Sequence, residues 1–104
     1  DLIQPNATVA GGITEWIKIA SLASALGVPL APHADPYIHV HLAAAFTNAI
    51  MIEYFDLQER IKVISDLMES FIEPSNGVIH PPDEPGIGVT FDEAALDRYC
   101  ICKY

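Results

Sequence analysis

Three short apolar segments, separated by stretches long enough for a helix, constrain the fold of this chain more than any other feature. They are centred near Ile3, Leu30 and Ile52, so the spacings are 27 and 22 residues. Spacings of this size accommodate a strand, a crossover helix and a second strand parallel to the first. Each segment is apolar throughout rather than alternating, which is typical of parallel strands covered on both faces. The sequence therefore predicts an α/β fold.

Helix signals occupy both connecting stretches. Thr14 is predicted to cap a helix that runs to Gly27, and a second helix is predicted over residues 38–49. The first helix repeats apolar residues along one face, which we expect to be buried with Trp16 in the core: Ile13, Trp16, Ile17, Ala20, Ala23 and Leu26. Three parallel strands alone would leave two unpaired edges. We therefore expect them to belong to a larger closed or doubly wound sheet whose other strands lie outside this sequence.

The second half of the chain has a different character, because eleven of the 14 acidic residues follow residue 50. A helix is predicted over residues 57–68. A hairpin is predicted around the Asn76–Gly77 turn, and a short helix over residues 92–99 with Thr90 and Glu93 as its capping box. We accordingly divide the chain into residues 1–56, the strand–helix units, and residues 57–104, a separate C-terminal segment.

Charge and composition narrow the class of protein. The net charge is −9 with only five Lys and Arg, and such a surface repels nucleic acid and anionic membranes, so neither is expected as a partner. No apolar run reaches the ~20 residues that a membrane helix needs. The chain opens on Asp1 rather than methionine, so we expect preceding residues to be missing. Hydrophobic residues make up 51% of the chain, and we expect much of its surface to be covered by other parts of a larger protein.

The cysteines and two of the histidines are not expected to form a metal site. Cys100 and Cys102 point to opposite faces of an extended chain, so they are predicted to be reduced, as in the cytoplasm. His39 and His41 are separated by two residues, and a helix turns such side chains about 200° apart. We expect one of these histidines at a packing boundary and the other exposed.

Polar residues stand where each predicted strand ends: Asn6, His33 and Glu53. The carboxyl ends of parallel strands meet at one edge of a sheet, where α/β proteins place their chemistry. Each residue alone has a structural interpretation, as a turn cap, a loop histidine or an ion-paired carboxylate. Adjacent strands lie ~4.8 Å apart, so the three side chains can converge on one ligand. Their shared placement favours one common site.

Four stretches of the chain resemble the enolase superfamily, and more narrowly the acid-sugar dehydratases of its mandelate racemase subgroup. They are QPNATVAGGITEWIKIASLASALGVPLAPH, HLAAAFTN, IEYF and DEPGIGVTFDEAALDRY. The resemblance implies that residues 1–56 are the last units of a modified (β/α)7β barrel. It implies that residues 57–104 return towards the capping domain of the same protein. The final residues, CICKY, carry no family signal.

The resemblance also implies roles for the three strand-end residues. His33 matches the acid/base histidine of the family's His–Asp dyad, and an imidazole both takes and gives a proton near neutral pH. Glu53 matches the acidic residue that hydrogen-bonds the substrate carboxylate. Asn6 departs from the family, which places the dyad aspartate there; an amide can orient the imidazole but gives no counter-charge. Three interpretations stay open. His33 is tuned to act as a general acid, or the base lies elsewhere in the protein, or the site is weakened.

The implied activity is the magnesium-dependent dehydration of a sugar acid, by removal of the proton beside the carboxylate and loss of the β-hydroxyl. The metal ligands are expected upstream of Asp1, so no metal ligand is expected in this segment, which alone is not expected to be active. The implied partners are the remainder of its own chain, a small carboxylate substrate and further copies of the protein. One alternative is a racemase, epimerase or cycloisomerase of the same superfamily. Another is a non-catalytic member in which Asn6 marks a decayed site.

Overall fold

The structure is a computed structural model that describes residues 1–55 and 62–102. These ranges contain three extended segments that pair in parallel and five helices, joined by turns and loops. The helices are α1 (Ala7–Ala10), α2 (Ile13–Ala25), α3 (Pro36–Ala45), α4 (Lys62–Leu67) and α5 (Glu93–Tyr99).

The three extended segments pair in parallel, as the sequence predicts. Leu30 lies between the other two, bridged to Ile3 on one side and to Ala49 on the other. The Leu30 N–H donates to the Asn48 carbonyl at 2.7 Å, and its own carbonyl accepts from the Ile50 N–H at 2.9 Å. The third segment therefore enters the sheet at Ala49, earlier than its predicted centre at Ile52.

Helix α3 is shorter than the predicted helix over residues 38–49. It begins with Pro36 at its first position, where the missing N–H costs no hydrogen bond, and it ends at Ala45. Phe46 is extended, because the chain must turn there to reach the pairing position at Asn48. The Asn48 side chain fixes this turn by donating to the carbonyls of Ala20 and Val28 at 3.3 and 3.2 Å.

The core lies between helix α2 and the extended segments. Trp16 and Leu30 are fully buried, and Trp16 meets Phe46 edge-on at 5.5 Å between ring centroids. The prediction for Trp16 is confirmed. The predicted buried face of α2 is only half right, because three of its members face away from the described residues and are 47, 40 and 69% exposed: Ile13, Ile17 and Leu26.

The start of α2 also differs from the prediction. The helix begins at Ile13 with Gly12 as its N-cap, rather than at Thr14. Gly11 and Gly12 both have a positive φ, 101° and 103°, which glycine adopts without strain. This sharp turn joins α2 to helix α1, a single turn that the sequence analysis does not predict and that Asn6 caps.

The second half of the chain is built from short elements. Helix α4 covers part of the helix predicted over residues 57–68, and residues 57–61 of that prediction lie outside the described residues. The Asn76–Gly77 turn is confirmed, with φ of 52° and 77° and mutual hydrogen bonds between Ser75 and Val78. Helix α5 is confirmed, but its cap is Asp92, whose carboxylate accepts from the Ala95 N–H at 3.0 Å. The predicted cap at Thr90 is therefore wrong.

Two side chains of α3 join the second half of the chain to the first. The His41 Nε2 contacts the Ile87 carbonyl at 3.3 Å. The Tyr37 phenol is buried and receives a hydrogen bond from the Ile72 backbone. The division at residues 56 and 57 falls in the undescribed range and stays a prediction.

The cysteine prediction is confirmed, because Cys100 and Cys102 are both free and exposed. The Cys100 thiol donates to the Cys102 carbonyl at 3.0 Å. Within residues 1–55 and 62–102, no helix is long and apolar enough to cross a membrane.

Candidate active site at the ends of the parallel segments

The pairing of the extended segments continues to the strand-end residues and brings them to one edge. The His33 N–H donates to the Pro5 carbonyl at 3.3 Å, and the Glu53 N–H donates to the Pro32 carbonyl at 3.1 Å. Residues 5, 33 and 53 are therefore neighbours across the three segments. This is the edge at which α/β folds carry their ligands.

His33 and Glu53 form the centre of the site. The His33 Nε2 lies 3.5 Å from the Glu53 Oε2, and the two side chains are 52% and 33% exposed. The same carboxylate oxygen accepts from the Ala34 N–H at 3.2 Å. Phe55 packs edge-on against the imidazole, with ring centroids 6.4 Å apart. An imidazole and a carboxyl group thus lie side by side at this edge, where a backbone amide donates to the carboxylate and an aromatic ring packs against the imidazole.

Asn6 makes its hydrogen bonds away from His33. Its Oδ1 accepts from the Thr8 N–H at 2.8 Å, which fixes the orientation of the amide, and its Nδ2 donates to the Asp35 carboxylate at 3.0 Å. The Thr8 hydroxyl lies within 2.9 Å of both acceptors, 2.7 Å from the Asn6 Oδ1 and 2.9 Å from the Asp35 Oδ2. The structure therefore brings His33 and Glu53 together, whereas it joins Asn6 to Thr8 and Asp35. That Asn6 orients His33 stays a prediction without support from these hydrogen bonds.

Asp35 is the residue of this region that the sequence analysis misses. Ala34 and Asp35 both adopt left-handed backbone conformations, with φ of 53° and 42°, and two such residues in succession are rare outside glycine. The signal in the sequence is Asp35 before Pro36, because Asp–Pro favours turn initiation and aspartate tolerates this conformation. The turn swings the carboxylate of Asp35 towards the loop that follows the first extended segment.

His39 lies beneath the same loops and is fully buried. The prediction for the pair of histidines is therefore only partly right, since His39 lies in the interior rather than at a boundary and His41 is half-buried. The two rings have separate hydrogen-bond partners, which are Ala7 and Ala34 for His39 and Ile87 for His41.

The chemistry available to these residues is proton transfer and carboxylate binding. Among the described residues, no group of three or more His, Cys, Asp or Glu side chains could hold a metal ion. The described residues therefore do not fit a magnesium site by themselves. An imidazole and a carboxyl group side by side at the ends of parallel segments are the kinds of group that α/β enzymes use for acid/base chemistry.

Comparison with known proteins identifies the family. The model of the enolase C-terminal domain-like family matches residues 1–95. The chain belongs to the enolase superfamily and, within it, to the mandelate racemase subgroup with its acid-sugar dehydratases.

The relatives are sugar-acid dehydratases. L-talarate/galactarate dehydratase of Salmonella typhimurium is 34% identical over 95 residues, which cover 91% of this chain and 22% of the relative. Arabinonate dehydratase of Saccharolobus solfataricus is 33% identical, covering 99% of this chain and 28% of the relative. The crystal structure of L-talarate dehydratase from Polaromonas sp. JS666, complexed with Mg and L-glucarate, matches with a TM-score of 0.79 and 37% identity, over 93% of this chain and 25% of that one. The chain thus spans about a quarter of the length of these proteins.

Proposed function

We propose that this chain supplies the last strand–helix units of the barrel of a magnesium-dependent sugar-acid dehydratase. The parallel segments and the dehydratase relatives support this proposal. Residues 1–56 then complete a (β/α)7β barrel, and residues 57–104 return towards a capping domain. The remainder of the barrel belongs to the same polypeptide, and it covers the two outer edges of the sheet. The chain alone is not active.

The observation that carries the proposal is the 3.5 Å contact between the His33 Nε2 and the Glu53 Oε2 at the ends of adjacent parallel segments. Dehydration of a sugar acid removes a proton from the carbon beside the carboxylate and delivers another to the departing β-hydroxyl. His33 acts as the general acid/base, because its imidazole is half exposed beside Glu53. Glu53 hydrogen-bonds the substrate carboxylate and carries the proton of that bond. Asn6 belongs to the same edge and positions the loop beside His33.

We propose that magnesium is bound by residues outside this chain. A divalent cation beside the substrate carboxylate supplies positive charge where negative charge develops. Its ligands are proposed to come from barrel strands that precede residue 1, and the described residues form no such site. We further propose that the protein assembles into homo-oligomers. The two free thiols favour a cytoplasmic location.

The test uses the full-length protein with a panel of aldonic and aldaric acids, and measures formation of the 2-keto product. His33→Asn is expected to lower kcat by about 10²–10⁴-fold, the usual contribution of a general acid/base. His80→Asn, the same change at an exposed histidine in the second half of the chain, is the matched control and is expected to leave kcat unchanged. Dehydration that survives His33→Asn would contradict the role of His33.

The same experiment separates the alternatives. Incorporation of solvent deuterium beside the carboxylate without loss of water would identify a racemase or epimerase, which shares the first half of the reaction. Absence of both exchange and 2-keto product across the panel would favour a non-catalytic member of the superfamily.

A further inference from the structure

His39 is a buried polar side chain that the proposed chemistry does not use. It is completely inaccessible to solvent, whereas His33 is about half exposed. A buried polar group needs partners for its hydrogen-bonding atoms. Both ring nitrogens of His39 have one, and both partners are backbone groups next to the candidate site: Ala7, the first residue of α1, and Ala34.

The partners determine the form of the ring. The Ala7 N–H donates to the His39 Nε2 at 3.0 Å, so Nε2 must be the bare nitrogen. The Nδ1 lies 2.6 Å from the Ala34 carbonyl and therefore carries the proton that it donates there. The imidazole thus joins the start of α1 at Ala7 to the turn at Ala34, which follows the second extended segment.

The bond to Ala34 leads directly to the candidate site. Ala34 holds a left-handed conformation, with φ of 53°, and its N–H donates to the Glu53 Oε2 at 3.2 Å. That oxygen is the one 3.5 Å from the His33 Nε2. A ring that holds the Ala34 carbonyl therefore sets the direction of the Ala34 N–H on the opposite side of the same residue.

The surroundings of His39 keep the ring in place. Trp16 lies against it, with ring centroids 6.3 Å apart, and the Trp16 indole donates to the Pro5 carbonyl at 3.1 Å. The same Pro5 carbonyl accepts the His33 N–H at 3.3 Å. The core residue Trp16 and the buried His39 thus contact both loops from below.

We propose that His39 is a positioning residue: its neutral imidazole holds the backbone of Ala7 and Ala34 so that the Ala34 N–H keeps the Glu53 carboxyl group beside His33. This deepens the proposed function and rests on it for the catalytic consequence. The structural part is the tie, by which we mean the two hydrogen bonds that His39 makes to the backbone of Ala7 and Ala34. It stands whether or not the protein is a dehydratase.

The test compares four variants of the full-length protein. His39→Leu removes both hydrogen bonds, His39→Gln keeps a donor and an acceptor on a flexible arm, and His39→Asn is too short to span both partners. His41→Leu is the matched control on the same helix. Small displacements of catalytic groups cost up to ~10²-fold in rate. We therefore expect kcat/KM to fall about 10–100-fold in His39→Leu and His39→Asn. It should recover at least in part in His39→Gln and be unchanged in His41→Leu.

Amide hydrogen exchange at Ala34 gives a readout that does not depend on activity. We expect exchange to be at least ~10-fold faster in His39→Leu than in His41→Leu, because local opening becomes easier. Equal exchange in those two variants would overturn the inference. If His39→Leu does not fold, equal kcat/KM and equal exchange in His39→Gln and His39→Asn would overturn it. A protein without dehydratase activity but with the expected exchange would contradict the proposed function and leave the tie intact.

Discussion

At the scale of single residues, Asn6 and Asp35 form one unit. The Asn6 amide donates to the Asp35 carboxylate at 3.0 Å. An aspartate at position 6 would face that carboxylate at the same distance. Two carboxylates so close cannot both be ionised without lowering the stability of the folded protein. An amide at position 6 avoids this repulsion from Asp35.

This explanation predicts that Asn6→Asp destabilises the protein. The substitution replaces a hydrogen-bond donor by a second carboxylate, and we expect the free energy of unfolding to fall by about 1–3 kcal/mol at neutral pH. The loss should shrink at acidic pH, where one carboxyl group is protonated. The double variant Asn6→Asp with Asp35→Asn exchanges the two groups and should recover most of the stability. Denaturant unfolding of the full-length protein measures all three, and an Asn6→Asp protein of unchanged stability would contradict the pairing.

At the scale of elements, α3 connects the two halves of the chain through Tyr37. Burial raises the pKa of the Tyr37 phenol above its ordinary value; a hydrogen bond from the Ile72 backbone opposes the shift, and the nearby Tyr54 and Glu73 add to it. The folded protein therefore holds this proton more tightly than the unfolded chain does. The resulting stability is present below the ordinary phenol pKa of about 10 and is lost as the pH rises through the folded pKa.

The expected result is a decrease in stability at alkaline pH that Tyr37→Phe reduces. Tyr99→Phe is the matched control, because the Tyr99 hydroxyl donates to Asp66 at the exposed surface. Unfolding midpoints measured from about pH 8 to pH 11 compare the three proteins. If the unfolding midpoint falls with pH equally steeply in Tyr37→Phe and in the wild type, this phenol does not contribute to the loss of stability.

Element type was predictable from the sequence to a much greater degree than element boundaries. The parallel segments, the helix with Trp16 and the Asn76–Gly77 turn follow from spacing and turn chemistry, which are local signals. The cap of α5 was misassigned to Thr90, since Thr90 and Asp92 both precede the helix and only the backbone path selects Asp92. The turn cap that Asn6 forms with Thr8 is local, but its hydrogen bond to Asp35 depends on the left-handed turn 29 residues away, and no local signal of Asn6 contains that information.

At the scale of the whole molecule, apolar side chains remain exposed on both outer segments of the sheet. Leu2 and Ile3 are 41 and 39% exposed on one side, and Ile50 and Met51 are each 56% exposed on the other. Unpaired sheet edges with apolar side chains favour association with other strands. The structure is thus consistent with a piece of sheet that needs further strands on both sides.

The 104-residue chain on its own is expected to behave differently from the full-length protein. We expect the isolated chain to bind a hydrophobic dye several-fold more strongly and to self-associate in sedimentation experiments, since its edges are uncovered. A monomeric isolated chain that unfolds cooperatively and binds little dye would argue against the need for further strands.

The central claim is that His33 and Glu53, from neighbouring parallel segments, act on one carboxylate ligand. The most direct measurement is a crystal structure of the full-length protein with magnesium and a sugar acid that it turns over slowly. We expect a ligand carboxylate oxygen within hydrogen-bond distance of the Glu53 side chain, and the His33 Nε2 facing the reacting carbons. A sugar acid bound at another edge of the protein, with neither side chain in contact, would contradict it.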